Sequence, residues 1–477
     1  MTQIDKTREL ETKKISRLLW EYAVPAVASQ IVTSIYNIVD RMFLGHSGDG
    51  NGMLYLAALA ITFPVMNIIH AFGSLVGAGS SSRMSIVLGR KDVRWAEKIL
   101  GNSMLLTFFF GFLFVTAGYI WMRPILTLFG ASQQTLGFAC LYMDIILPGM
   151  FLTTLTFNLT GLIRASGYPM KAMWIMIGGA VANIFLDFLL ISVMNKGIVG
   201  AAMGTTIAMG LSAVVAAAHF VLPKSFIRFR RHAWAPKLYI FRNILAIGIS
   251  PFSMNVAAFA VVAVLNRQLS FYGGDNAVAV YGVVNSAAGL IFMMLLGVCQ
   301  GMQPIAGYNY GAGRNDRLRE VYLQTLKVCL MVGVFGMSMS LLFPRAIIYC
   351  FNSDEAILSM GVPAMRYMMA FAPLIAFTIT NSQLFQSIDQ PWIAIVTSLS
   401  RQVIFLIPIS LILPGVIYRA GGDGVIGVWL SCMICDALGA ALSAFLLLTH
   451  RQVFHVGYVP PLRKPRKELG PKPDKEN

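Results

Sequence analysis

Across 477 residues, 57% of the side chains are apolar, 12% are charged, and the formal net charge is +16. Soluble globular chains carry about 25% charged residues. Together with a mean hydropathy of +0.69, this excludes a soluble enzyme, a disordered chain and a secreted disulfide scaffold, and leaves an integral membrane protein.

The chain opens with a charged segment, residues 1–17, expected to be cytoplasmic and to lack a cleavable signal. Twelve apolar runs of spanning length follow, predicted over 18–44, 55–79, 99–121, 136–161, 172–193, 198–222, 243–270, 276–303, 322–343, 361–386, 392–413 and 425–449. In chain order, the first run holds Pro25, Tyr36 and Asp40-Arg41, and the second holds His70. Asp144, Pro148 and Asn158 lie in the fourth, Met176, Asn183 and Asp187 in the fifth, and Thr205 in the sixth. A basic stretch, 223–242, separates these from the second half. There the seventh run ends on Asn266-Arg267, the eighth holds Gln300 and Gln303, the eleventh holds Arg401, and the twelfth holds Cys432, Cys435 and Asp436. Breaks such as Pro148, Pro373 and Pro408 are tolerated where neighbouring helices satisfy the freed backbone groups. The six cysteines lie in or beside apolar runs and are expected to pack as small hydrophobes.

Lysine and arginine decide the topology. The termini and even-numbered connections hold 28 of them, and the odd-numbered connections hold 4: Arg123, Lys196, Arg345 and Arg419. Twelve spans with both termini cytoplasmic satisfy this split, so the +16 is mainly a topological signature rather than a nucleic-acid footprint. Lipid attraction is a secondary reading.

The halves resemble each other. Asp40-Arg41 matches Asn266-Arg267, Gly89-Arg90-Lys91-Asp92 matches Gly313-Arg314-Asn315-Asp316, Pro169 matches Pro391, and Gly197–Gly200 matches Gly424–Gly427, at offsets of 226, 224, 222 and 227. Six spans per half preserve orientation, so the repeats are parallel, a symmetry that transporters use. The expected fold is an all-α integral membrane protein with twelve transmembrane helices in two parallel, pseudo-symmetric six-helix lobes. The N-lobe takes 18–222, the linker 223–242, the C-lobe 243–449 and a disordered basic cytoplasmic tail 450–477.

Acids inside spans are costly and are functional candidates by default. Asp40, Asp187 and Thr205 fall at similar depth in the outer half of the first lobe, with Tyr36 one turn below Asp40 and Asn183 one turn below Asp187. Two carboxylates, an amide, a hydroxyl and a phenol can bind a proton or a small hard cation. The same set also suits a static hydrogen-bonded plug locking the first, fifth and sixth spans. Asp436 and Arg401 are read as an intramembrane ion pair holding the second lobe together. Asp144 is ambiguous, and His70 is a proton relay or a hydrogen-bonded packing histidine. The substrate cleft is assigned Asp40, Asn158, Met176, Gln300 and Gln303, with Met and Phe suiting varied apolar ligands.

These residues carry a family resemblance. Val24-Pro25 through Asp40-Arg41-Met42-Phe43-Leu44-Gly45 resembles the first helix of multidrug and toxic compound extrusion (MATE) transporters. Asn266-Arg267-Gln268-Leu269, Tyr272-Gly273-Gly274-Asp275 and Gly301-Met302-Gln303-Pro304 through Tyr308-Asn309-Tyr310-Gly311-Ala312 resemble the second-lobe signature. The likeness covers nearly the whole chain apart from the tails. It implies a V-shaped cleft and export of organic cations against H+ or Na+ influx. The match is to the DinF-like, MepA-like branch, whose ion site implies coupling roles for Asp40, Tyr36, Asn183, Asp187 and Thr205, and a bend of the first helix at Pro25. The NorM-like branch instead places acids on helices 7 and 10, and 243–270 and 361–386 contain none.

The expectation is thus a monomeric multidrug antiporter of the bacterial inner membrane, with organic cations and lipid as partners and no nucleic acid. It needs no cofactor beyond the coupling ion, and Na+ at Asp40, Asn183, Asp187 and Thr205 is the one candidate metal. A lipid-linked glycan flippase of the same superfamily is the alternative, kept open by Arg41 and Arg267. No hydrolase or metalloenzyme motif supports an enzyme.

Overall fold

The computed structural model describes residues 7–46, 50–222, 225–351 and 354–455. Every regular element among them is helical, as a bilayer demands of an apolar chain that must satisfy its own backbone. The spans are α1 (Ile15–Gly45), α2 (Gly52–Gly89), α3 (Val93–Leu128), α4 (Gln133–Ala165), α5 (Pro169–Val193) and α6 (Gly197–Val221). Leu238–Gly311 runs for 74 residues, about 110 Å of helix against a hydrocarbon core of about 30 Å. It breaks at Gly274, where φ 64° and ψ −161° suit only glycine, and forms two spans, α7 (238–273) and α8 (275–311). Then come α9 (Asn315–Leu342), α10 (Glu355–Met369 with Ala372–Ser387, bent by 44°), α11 (Pro391–Arg419) and α12 (Gly424–Thr449). The described residues thus hold twelve spans, six per half.

Several helices outrun their apolar cores. α2 continues to Gly89 rather than 79, and α8 to Gly311 rather than 303. The polar run after Gly79 stays helical because its hydroxyls find partners within the bundle. Ser80 Oγ donates to Asn158 Oδ1 at 2.7 Å, and Ser81 Oγ donates to the Gly161 carbonyl at 3.0 Å. Arg83, counted from sequence among the connections, is therefore buried inside α2. The Gly89/Gly313 match is also out of structural register by two residues: α2 ends at Gly89 with Lys91 at φ 60°, whereas α8 ends at Gly311 with Gly313 at φ 72°.

The apolar cores reveal how the lobes meet. Near the end that carries the termini, one cluster joins both lobes, Leu18, Val87 and Ile99 packing with Ile244, Ile305 and Leu318. Towards the far end each lobe has its own cluster, around Tyr142 and Ile146 in the first and around Val280 and Trp429 in the second. The shared seam is tight because glycines let backbones touch. A side chain on Gly89 would strike the Tyr308 carbonyl, and one on Gly311 would strike the Ile86 carbonyl; the two contacts exchange under the 222-residue repeat. Gly79 lies against Ile244 and Gly248 of α7, and its repeat mate Gly301 lies against Ala23 of α1.

Polar bonds lock the same seam. Arg83 Nη1 lies 2.8 Å from Asp389 Oδ2 in the turn before α11. Gln303 Nε2 donates to Ser82 Oγ at 2.6 Å, and Asn255 Nδ2 donates to Ser74 Oγ at 3.3 Å. Ser34 Oγ meets Met293 Sδ at 2.6 Å. The described part of the 223–242 stretch is docked on the first lobe. Asn102 of α3 donates to the Ala235 carbonyl at 3.1 Å and accepts from Lys237 N at 2.8 Å, while buried Glu97 pairs with Arg230 and His232, each at 3.1 Å.

Candidate ion-coupling site and cleft

The first-lobe cluster is built by three helix ends. Asp40 lies five residues before the end of α1, Asp187 six before the end of α5, and Thr205 eight after the start of α6. At 1.5 Å per residue this puts all three about 8–12 Å below the far end. The Asp40 and Asp187 carboxyls lie side by side, with the Tyr36 phenol in electrostatic reach of both. Asn183 and Asp187 are fully buried, and Asn183 Nδ2 donates to Thr205 Oγ1 at 3.2 Å. Among the described residues, Asp40 Oδ1, Asn183 Oδ1 and both Asp187 oxygens are buried without a hydrogen-bond partner. Four acceptor oxygens of one buried cluster are thus without a hydrogen bond, which a small hard cation or a proton would satisfy. The set fits Na+ by its donor chemistry.

Two features that the sequence reading missed help to build the cluster. Gly204 leaves room for Asp187, since a side chain there would collide with its Oδ1. Tyr142 of α4 is buried within electrostatic reach of Asp40, Tyr36 and Asp187; it is hidden in an apolar run beside the more conspicuous Asp144. Directly after Asp187, α5 loosens into a π-helical turn, Phe188–Val193. Such turns recur at functional sites.

Above the seam the lobes part. Ser34–Met293 joins α1 to α8, and Phe72–Phe252, with ring centroids 4.7 Å apart, joins α2 to α7. Beyond them the facing stripes are exposed, Arg41 on α1 and Ser286 and Leu290 on α8. These contacts floor a cleft that opens to the far end.

The MatE family profile matches this chain twice, over residues 25–189 and 246–412, together more than half its length. The chain belongs to the MatE family. Two relatives align along almost all of it. Multidrug export protein MepA of Staphylococcus saprophyticus is 24% identical over 92% of this chain and 94% of its own. MepA of Staphylococcus aureus is 25% identical over the same shares. Among solved structures, a MOP superfamily transporter from Pyrococcus furiosus superposes with a TM-score of 0.87 at 22% identity, covering 95% of this chain and all of that one. A multidrug resistance MATE family transporter in an outward-facing conformation gives 0.85 at 22% identity, covering 95% and 98%. The fold is therefore the MATE fold, with two lobes of six helices.

Within this MatE chain the other sequence-assigned residues scatter. Asn158 is not in the cleft. Fully buried, it accepts from Ser80 Oγ and donates to Thr107 Oγ1 at 3.0 Å, tying α2, α3 and α4. Asn381 of α10 also clamps helices in the second lobe, but different ones, accepting from Tyr322 of α9 at 2.6 Å and donating to Ser443 of α12 at 2.8 Å. Gln303 is spent on the closed seam below the cleft floor. Met176 and Gln300 are half-buried on α5 and α8. Helix α1 runs unbroken through Pro25, whose carbonyl accepts Ser29 Oγ at 2.8 Å. Asp144 is exposed, and Tyr119 bonds only its backbone carbonyl, at 2.6 Å. His70 rests against the Phe157 ring, 5.7 Å between centroids. Arg401 and Asp436 are in direct ionic contact within the second lobe. Cys435 Sγ donates to the Cys432 carbonyl at 2.9 Å, and among the described residues no group of three or more His, Cys, Asp or Glu is placed to hold a metal.

Proposed function

We propose that this MatE protein is a secondary active multidrug antiporter of the bacterial inner membrane, exporting amphipathic, mostly cationic compounds in exchange for H+ or Na+. It works as a monomer with both termini in the cytoplasm, which makes the seam the cytoplasmic gate and the cleft outward-open. The observation that carries the reading is the set of four buried oxygens without hydrogen bonds at Asp40, Asn183 and Asp187, on neighbouring helix ends. Names of near full-length relatives, both multidrug export proteins, point the same way.

The chemistry is a competition for negative charge. Two neighbouring carboxyls in a low-dielectric site are costly unless compensated. An external proton or Na+ supplies that compensation and cancels the field that favours a cationic drug in the cleft. Ion and drug thus favour different states of one equilibrium, which is the requirement for exchange. Asn183 and Thr205 orient the site, and the π turn after Asp187 lets the end of α5 shift without unfolding the helix.

The test is dye efflux from proteoliposomes under separately imposed pH and Na+ gradients. One gradient alone is expected to drive efflux in the wild type, and neither in Asp40→Asn or Asp187→Asn. Wild-type rates in both variants would refute the assignment.

A further inference from the structure

One charged side chain on the cleft wall, Arg41, is not among the groups that build the ion site, although its charge reaches Asp40. Val27, Ser34 and Arg41 recur every seven residues and so share one stripe of α1. Val27 packs on Gly297 of α8, and Ser34 bonds Met293 of α8. Arg41 continues the stripe above the cleft floor, where α8 has drawn away, and it is exposed. Its guanidinium sits 5.6 Å from the centre of the Phe63 ring of α2, itself 47% exposed. Asn37, one turn below Arg41, is also exposed. The neighbouring acid, Asp40, reaches Asp187 and has one carboxyl oxygen buried, while the Arg41 charge stays within its electrostatic reach. The cleft wall of the first lobe therefore presents a cation braced on an aromatic face, next to the carboxyls of the ion site.

We infer that Arg41 and Phe63 form a subsite for the carboxylate of aromatic amphipathic substrates, the ring stacking on Phe63 and the carboxylate bonding the guanidinium. This deepens the efflux reading and rests on it. A guanidinium offers a planar fork of donors matched to a carboxylate, and Phe63 fixes its orientation through a cation–π contact. Arg41 also repels a simple monocation once those carboxyls are compensated, so one residue favours carboxylate-bearing substrates and the release of cations.

The experiment compares two dyes that differ only at this group: rhodamine 6G, an ethyl ester, and its free acid, rhodamine 19. Efflux of both is measured in proteoliposomes under the driving gradient. Arg41→Gln is expected to raise the ester-to-acid ratio about fivefold or more, and Arg41→Lys to raise it less. Asn37→Lys, which adds charge to the same face, is expected to lower the ratio and tests the idea even if Arg41→Gln fails to assemble. Ratios unchanged in Arg41→Gln and Asn37→Lys, with wild-type rhodamine 6G export intact, would overturn this subsite alone. A wild type that moves neither dye would refute the efflux reading and the subsite with it.

Discussion

Asp389→Asn removes one charge from the seam and little else. Asp389 sits at φ 61°, a left-handed conformation that Asn tolerates as readily as Asp, so no backbone strain accompanies the change. The pair it breaks joins the lobes at 2.8 Å, with side-chain exposures of 5% for Arg83 and 14% for Asp389. Breaking a buried pair from one side costs about 3–5 kcal/mol, because the surviving charge stays desolvated. The substituted amide still offers Arg83 an acceptor, which brings the expected cost to about 2–3 kcal/mol. That penalty falls only on states with the seam closed, so the equilibrium should move towards the opposite state by about 30- to 150-fold. Spin labels replacing Leu128 and Tyr418, 81% and 63% exposed at the far ends of α3 and α11, would report it by pulsed EPR in nanodiscs. The variant should gain a shorter inter-label distance as the far ends approach. Arg83→Gln added to Asp389→Asn should move the distribution back, because the stranded cation is gone. An unchanged distribution in the single variant, or a double variant no closer to wild type, would refute the latch.

Two further substitutions separate ion coupling from scaffold. Gly204→Ala places a methyl against Asp187 Oδ1 and should cut gradient-driven efflux about tenfold at normal membrane abundance, the size expected for a displacement of about half an ångström when a full ångström can cost about a hundredfold; normal rates would argue against the cluster as coupling site. Asn158→Ala removes two buried side-chain hydrogen bonds, leaving Ser80 on the Gly77 carbonyl and Thr107 on the Ser103 carbonyl, and should cost about 1–3 kcal/mol, read as a lower melting temperature in detergent. The ranking of exported drugs should not change; a changed ranking would return Asn158 to the cleft.

The spans were legible because the bilayer leaves few choices. An apolar run of about 20 residues has to become a helix, and the basic residues mark one side. Asp40, Asn183, Asp187 and Thr205 can be grouped from the amino-acid order alone, because helical rise converts residue counts into depth. Depth carries no azimuth, and two of the five cleft assignments, Asn158 and Gln303, failed for that reason. Asn158 and Gln303 stand at plausible depths for a drug site yet point into a helix clamp and a lobe seam. Their roles depend on which way each helix is rotated, and for near-uniformly apolar helices the sequence does not encode that rotation. The polar run Ser80–Ser82 and Arg83 looked like a connection for a related reason. Burial was judged from hydropathy, whereas these side chains are satisfied by partners about 80, 220 and 306 residues away.

The repeat makes the difference between the lobes informative. At the 222-residue offset, Gly179 of α5 corresponds to Arg401 of α11. In the first lobe the missing side chain at Gly179 is filled by Ser212 of α6; in the second, Gly439 of α12 makes the room and Arg401 fills it. The exchange lets the second lobe carry its own cation to Asp436, so its one buried span acid is neutralised from within. Among the described residues, Asp40 has the charge of Arg41 in reach but no ion pair, and Asp187 has neither. The repeated scaffold therefore yields one lobe whose buried acid is internally paired and one whose acids are not, and this asymmetry is the reason we propose ion coupling in the first lobe.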